Sequence, residues 1–204
     1  MARRSDHTKD ELKELIFNTS RDIVIKEGFR ELSARKIATE IGYTVGTLYN
    51  FYTNLDDLIL QINGKTLDSL YESLIKETSN INNQNIRIHK LGKGYVDFSS
   101  KNYNLWNMLY EYHFPRPKGT KLPNWYEEKI DKIFKLVEEV LLPFVRGNKV
   151  QAGKVGKMFW ASLHGICVLS ITGKLDTAGA DSANVLAESF IKVFTSGIKS
   201  LATH

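Results

Sequence analysis

The sequence predicts an all-α protein of about nine helices. Three observations carry this. Apolar residues recur at three- and four-residue spacing along most of the chain, which is the helical period. No segment sustains the apolar–polar alternation of a half-buried strand. The β-branched residues are scattered among Leu, Lys and Glu instead of gathering into runs.

The elements follow in order. Thr8-Lys9-Asp10-Glu11 reads as a capping box, so the first helix starts at Thr8. Leu12, Leu15, Ile16 and Ile23 give it one apolar face to about residue 27, and Gly28 supplies a left-handed stop. Ser33 caps a short second helix, Ala34 to Ile41, with Ile37, Ala38 and Ile41 inward. Gly42-Tyr43 is a tight turn. Thr44 caps a third helix from Val45 to about Phe51. Thr53 or Asn54 caps a fourth, which carries Leu55, Leu58, Ile59, Ile62 and Leu67 and runs to about residue 77.

A polar, Asn-rich stretch over 78–85 reads as a loop. Helical patterns then cover about 84–101, 103–113 and 125–146. Three of the four prolines fall between the last two, which predicts a stiff, irregular loop. Helices over about 151–173 and 182–201 complete the chain. In the last, Ala183, Ala187, Phe190, Phe194, Gly197 and Leu201 form a seam down one face.

Composition narrows the class. A chain of 204 residues has room for one large domain or two small ones. With 42% hydrophobic and 25% charged residues it is not wholly disordered. No segment approaches the roughly 18 apolar residues of a membrane span, and the first residues lack the apolar core of a signal peptide. The single cysteine, Cys167, has no partner for an internal disulfide. A soluble, cytoplasmic protein without a membrane partner is expected. The net charge is +5, yet residues 1–64 hold nine Lys and Arg against ten Asp and Glu. The basic excess therefore lies in the larger, C-terminal part. Any nucleic-acid reading must rest on individual side chains instead of bulk charge.

Two short helices joined by a glycine turn and preceded by a longer helix form a helix-turn-helix candidate. Its second helix, Thr44 to Tyr52, has only Leu48, Phe51 and Tyr52 suited to a core. Gly46 permits close approach to a DNA backbone or base edge. Thr44, Thr47, Tyr49 and Asn50 supply neutral hydrogen-bonding groups, so charge has to come from elsewhere.

The run Ile37-Ala38-x-x-Ile41-Gly42-Tyr43-Thr44-Val45-Gly46-Thr47-Leu48-Tyr49-Asn50-Phe51-Tyr52 resembles the TetR family of bacterial transcriptional regulators. Ile25-Lys26-Glu27-Gly28-Phe29 upstream and Asn54-Leu55-Asp56-Asp57-Leu58 downstream extend the likeness over about residues 8–60. The resemblance implies a DNA-binding helix-turn-helix domain over 1–53, whose third helix enters the major groove. It also implies an effector-binding and dimerisation domain over 54–204. Carried over by position, Thr44, Val45, Gly46, Thr47, Tyr49 and Asn50 would face DNA, with Ser33 at the start of the preceding helix. Arg35 and Lys36 would reach the backbone or a base edge, Arg35 being suited to guanine through its planar fork. Arg3 and Arg4 would enter the flanking minor groove as an arm.

Two departures stand out. Val45 and Leu55 occupy positions where the family often has Lys. Each lost phosphate contact lowers the salt slope of binding by about one unit. Plainer roles compete throughout. Tyr49 also suits a half-buried core position, Arg35 and Lys36 a solvated helix face, and Arg3 and Arg4 a tail without function.

The larger part holds most of the aromatic residues. Phe98, Trp106, Tyr110, Trp125, Phe134, Trp160 and His164 are the expected lining of a small-molecule effector pocket, although core packing is the commoner use of any one ring. Trp160 and His164 share a helix face, and Trp-x-x-x-His-Gly resembles the sensor part of a TetR subgroup marked by that motif. His164 would either bond an effector or rest as a satisfied buried histidine. The resemblance implies a homodimer, with Phe159, Ala187, Phe190, Phe194 and Leu201 at the interface. Small residues in the 151–173 segment (Gly153, Gly156, Ala161 and Gly165) would allow close helix packing there. The competing use of both helices is as intrachain core.

No metal-spaced cluster, Gly-rich phosphate loop, nucleophile elbow or HExxH occurs, so neither an enzyme nor a cofactor is expected. The expected function is a ligand-responsive repressor of a palindromic operator. The competing expectation is a ligand-independent DNA-binding activator or architectural protein. The expected partners are double-stranded DNA, an unidentified small-molecule effector and a second copy of the chain.

Overall fold

A computed structural model describes residues 7–115 and 121–201, with side chains to Ile198. Among these residues there are ten α-helices, two short 3-10 turns and no strand. The helices are α1 (Lys9–Glu27), α2 (Ala34–Ile41), α3 (Val45–Leu48), α4 (Leu55–Thr78), α5 (Gln84–Lys101), α6 (Tyr103–Glu111), α7 (Asn124–Leu141), α8 (Lys149–Ile171), α9 (Lys174–Thr177) and α10 (Ala183–Leu201). The single-turn α9 and the 3-10 turn at Phe29–Glu31 are too short to carry an apolar period, so sequence patterning does not register them.

The chain forms two compact units. The first joins residues up to Thr66 with those from Asn102 to Lys121; the second holds 67–101 and 122 onward. The sequence-based division after residue 53 is a single cut, whereas the first unit is discontinuous. It takes the beginning of α4 and all of α6.

In the first unit, α1 starts on the expected capping box. The Thr8 hydroxyl accepts from Glu11 N at 3.3 Å, and Thr8 N donates to Glu11 Oε2 at 2.7 Å. Ile16, Ile23 and Val24 of α1 meet Ile37, Ala38 and Ile41 of α2, Leu48 of α3 and Leu58, Ile59 and Ile62 of α4 in one core. Leu105 and Met108 of α6 complete it. Polar ties bind α6 in place. Asn104 Nδ2 donates to Ile25 O at 2.8 Å, and the Tyr112 hydroxyl donates to Asp56 Oδ1.

The C-terminus of α2 uses Gly42 at φ 72°, ψ 29°, and Tyr43 N bonds back to Ala38 O at 2.9 Å. Beyond Leu48 the α-helix stops, short of the expected Phe51. The backbone tightens into i to i+3 bonds, with Phe51 N on Leu48 O at 3.0 Å, and Tyr52 turns into the core.

In the second unit, α5, α7, α8 and α10 pack around Leu91, Tyr95, Val137, Val140, Phe159, Leu163 and Ile191. Lys129 Nζ bonds both oxygens of Asp68, at 2.7 and 2.6 Å, and Lys132 lies 4.2 Å over the Tyr71 ring. Helix α7 ends at Leu141 instead of continuing to 146, because Pro143 lacks the N–H that a further α-turn requires.

Gly28 ends α1 at φ 88°, ψ 163°, an extended conformation at positive φ and not the left-handed helical one expected. A Cβ there would meet only Asn104 Oδ1, at 3.6 Å, so the constraint is in the backbone. Gly28→Ala is expected to cost about 1–3 kcal/mol, the usual strain of that region for a residue with a side chain. Urea unfolding followed by circular dichroism measures it.

Candidate nucleic-acid interface

The orientation of α3 follows from which side chains the core accepts. Leu48 and Tyr52 are buried, and Phe51 and Val45 are half-buried against the same core. The remaining side chains therefore point outward. Tyr49 is 48% exposed. Thr44, Gly46 and Asn50 are exposed and Thr47 half-exposed.

The outward groups are hydroxyls and an amide. Thr44 and Thr47 pair through their hydroxyls at 3.1 Å, so Thr44 makes no side-chain cap. The α3 turn is closed instead by Thr47 N on Thr44 O at 3.0 Å. A Cβ at Gly46 would meet only Thr44 Oγ1, at 3.7 Å. Nothing in the unit's own packing demands glycine there, and its bare surface admits a close external partner.

On α2, Ser33 is exposed and its hydroxyl accepts from Lys36 N at 3.2 Å, which makes it the helix cap. Arg35 is exposed. Lys36 is half-buried, with Nζ on Glu27 Oε2 at 2.5 Å, an ion pair within the protein. Arg3 and Arg4 lie outside the described residues. Sequence reasoning missed a contact beside the turn. His7 Nδ1 lies 2.9 Å from the Tyr43 hydroxyl, across 36 residues of chain. The Gly42-Tyr43 dipeptide marked the turn but not its partner.

The residues expected to line an effector pocket divide. Phe134 and Trp160 meet edge to face at 5.6 Å, and Trp160 stacks on His164 at 5.5 Å. The His164 Nδ1 lies 3.1 Å from the hydroxyl of buried Tyr95, a residue sequence reasoning did not single out. Phe98 is buried on α5, while Trp125 is 40% exposed at the start of α7, its ring edge-on to Tyr126. Trp106 and Tyr110 belong to the first unit, their rings 4.9 Å apart, with Trp106 fully buried. Both are on α6, which the sequence division had placed with the larger part.

The expected interface residues divide as well. Phe159 and Ala187 are buried inside the protomer, and Phe190 and Phe194 are half-buried against Phe159 at 5.9 and 5.5 Å. The side chain of Leu201 lies outside those described. Cβ atoms at Gly153 and Gly156 would meet Glu138 and Val137, so these glycines serve the approach of α7 to α8. Gly165 and Gly197 look onto open space. Exposed Met158, Val168, Leu169 and Val193 extend the apolar surface beside them.

Burial holds the His164 pKa below its ordinary value of 6.5. The folded state keeps the ring neutral while the unfolded chain protonates it more readily. His164 therefore costs no stability above pH 6.5 and an increasing amount as the pH falls below it. The thermal midpoint should decline below that pH, and the decline should be shallower in His164→Gln. Scanning calorimetry across about pH 5–8, the range in which histidine titrates, checks both.

Among the described residues no three His, Cys, Asp or Glu converge to hold a metal, and no helix is long and apolar enough to cross a membrane. Similarity to known proteins is found over both units. Residues 16–62 match the model for bacterial regulatory proteins of the tetR family, and residues 88–194 match the tetracyclin repressor-like C-terminal domain. An uncharacterised HTH-type transcriptional regulator of Haemophilus influenzae is 30% identical over 69 residues, 34% of this chain and 37% of that protein. The chain thus spans little more than a third of that relative's length. Among solved structures, a protein of unknown function from Rhodococcus has a TM-score of 0.74 at 17% identity, covering 96% of this chain and 98% of that one. A TetR-family regulator from Bordetella parapertussis has 0.60 at 18%, covering 91% and 94%. FadR of Bacillus subtilis, solved with stearoyl-CoA, has 0.63 at 14%, covering 90% and 98%. At these identities the structures share the fold. The C-terminal domain model alone spans more than half of the sequence, and together the two matches establish that the chain belongs to the TetR family of transcriptional regulators, DNA-binding proteins and not enzymes.

Proposed function

We propose that this regulator is a repressor that binds a palindromic operator as a homodimer and leaves it when a small molecule occupies the second unit. The observation that carries the reading is the outward-facing Thr47-Tyr49-Asn50 surface of α3, uncharged and built on a short buried anchor. Tyr49 and Thr44 are assigned to phosphates, and Arg35 to a guanine edge. Lys36 contributes less, because Glu27 already engages it. With that lysine engaged and Val45 and Leu55 uncharged, few phosphates are neutralised, and the affinity should fall only gently with salt.

Tyr95, Phe134, Trp160 and His164 are assigned to effector recognition, since they join rings and polar tips in one cluster. Half-buried Phe190 and Phe194, with exposed Met158 and Val193 and open Gly165 and Gly197, are assigned to a two-fold helical interface. Helix α4 is continuous from Leu55 to Thr78 while the unit boundary falls within it. A single helix thus shared can carry a coupling of about 1–3 kcal/mol, equivalent to a loss of about 5–150-fold in operator affinity.

Selection of DNA fragments by the purified protein should return a palindrome with half-sites about one helical turn apart. Tyr49→Phe combined with Thr47→Ala should weaken binding to that sequence by about tenfold or more, roughly the loss of 1.4 kcal/mol, without altering the thermal midpoint. A random pool, or unchanged binding by the double variant, would remove α3 from the interface.

A further inference from the structure

One face of α5 and one face of α10 enclose a groove of about 480 Å³ in the second unit. Its floor is Ala187 and Ile191, both buried. Gly92 makes that depth possible, because a Cβ there would stand 2.4 Å from Ile191 Cδ1. Its walls are Ile86 and Val185, 51% and 46% exposed. Single exposed apolar side chains are ordinary on a surface. Two of them lining one groove over a buried apolar floor form a prepared hydrophobic slot.

The rim is basic. Lys90, Lys93 and Lys192 border the groove, against the single carboxylate of Glu188. Each lysine has a partner: half-buried Asp97 for Lys93 at 2.5 Å, exposed Glu188 for Lys192 at 2.9 Å and exposed Glu77 for Lys90 at 3.6 Å. The two exposed pairs hold weakly, so the Lys90 and Lys192 ammonium groups exchange readily to an incoming anion. None of the aromatic residues assigned to the effector lines this groove.

The geometry points to a binding site for a soluble amphipathic organic anion, its apolar tail over Ala187 and Ile191 and its acidic head among Lys90, Lys93 and Lys192. The volume falls within the range of about 300–1,000 Å³ usual for small-molecule sites. The floor lies beneath flanking side chains, which suits an inserted tail better than a flat lipid surface. At about 100° per residue, Val185, Glu188 and Lys192 lie on average about 140° around α10 from Phe190, Val193 and Gly197. A bound anion and the proposed dimer therefore use different faces of one helix.

Titration calorimetry of the full chain with decanoate, decanol and decylamine tests the site, with nuclear magnetic resonance shift mapping to locate it. Decanoate should bind and shift α5 and α10 resonances, while decanol binds at least about tenfold more weakly and decylamine does not bind. Lys90→Glu with Lys93→Glu should weaken decanoate by about tenfold or more while leaving the circular dichroism spectrum unchanged. Val185→Ser should weaken decanoate and decanol alike, and Trp160→Phe should leave both unchanged. The site is refuted by any of three results: no decanoate binding below millimolar concentration, equal binding of decanol, or binding lost in Trp160→Phe but kept in the lysine variant. Binding to anionic vesicles without binding to monomeric decanoate also refutes it and assigns the basic rim to a membrane surface.

Discussion

The burial of Leu48 decides how the DNA-binding unit works. Helix α3 has four residues, too few to hold a direction by backbone hydrogen bonding alone. Its facing is set by side-chain burial, with Leu48 drawn into the core and Tyr52 following on the tightened turn. Thr47, Tyr49 and Asn50 then face outward as a geometric consequence. Gly42 supports this by reversing the chain in the left-handed region, where a residue with a Cβ is disfavoured.

The second unit shows a different balance. Most of its large rings are spent on packing, and Phe159, Tyr126 and Phe98 are buried with little surface to offer. What distinguishes the Phe134–Trp160–His164 group is the polar tip within it, where the Tyr95 hydroxyl meets the imidazole. Burial disfavours the charged ring. A neutral imidazole has one donor and one acceptor, which makes the group sensitive to the hydrogen-bonding character of its surroundings.

Much of the fold was legible because its signals are local. The capping box at Thr8, the Ser33 cap, the apolar period of α2 and the glycine turn sit within a few residues of what they specify, and the bounds of α2 emerged intact. The outward facing of Tyr49 could be read from the shortage of apolar neighbours. What escaped the sequence is non-local. The Tyr95–His164 contact spans 69 residues and the Tyr112–Asp56 bond 56, and no periodicity encodes such pairings. The capture of Lys36 by Glu27 depends on how α1 and α2 pack. Trp106 and Tyr110 illustrate a further limit: an aromatic ring on an amphipathic helix has the same pattern whichever core it enters.

The insertion of α6 into the first core constrains how this molecule can be cut and recombined. The chain crosses between its units three times, within α4 and on either side of α6. An excised fragment ending at the last residue of that helix-turn-helix would leave Ile16 and Ile37 without Leu58, Leu105 and Met108 of their shared core. The helix-turn-helix part is thus not a portable N-terminal cassette. A chimera that grafts it onto a foreign C-terminal domain has to carry α6 across as well, together with the tyrosine that fastens it to α4.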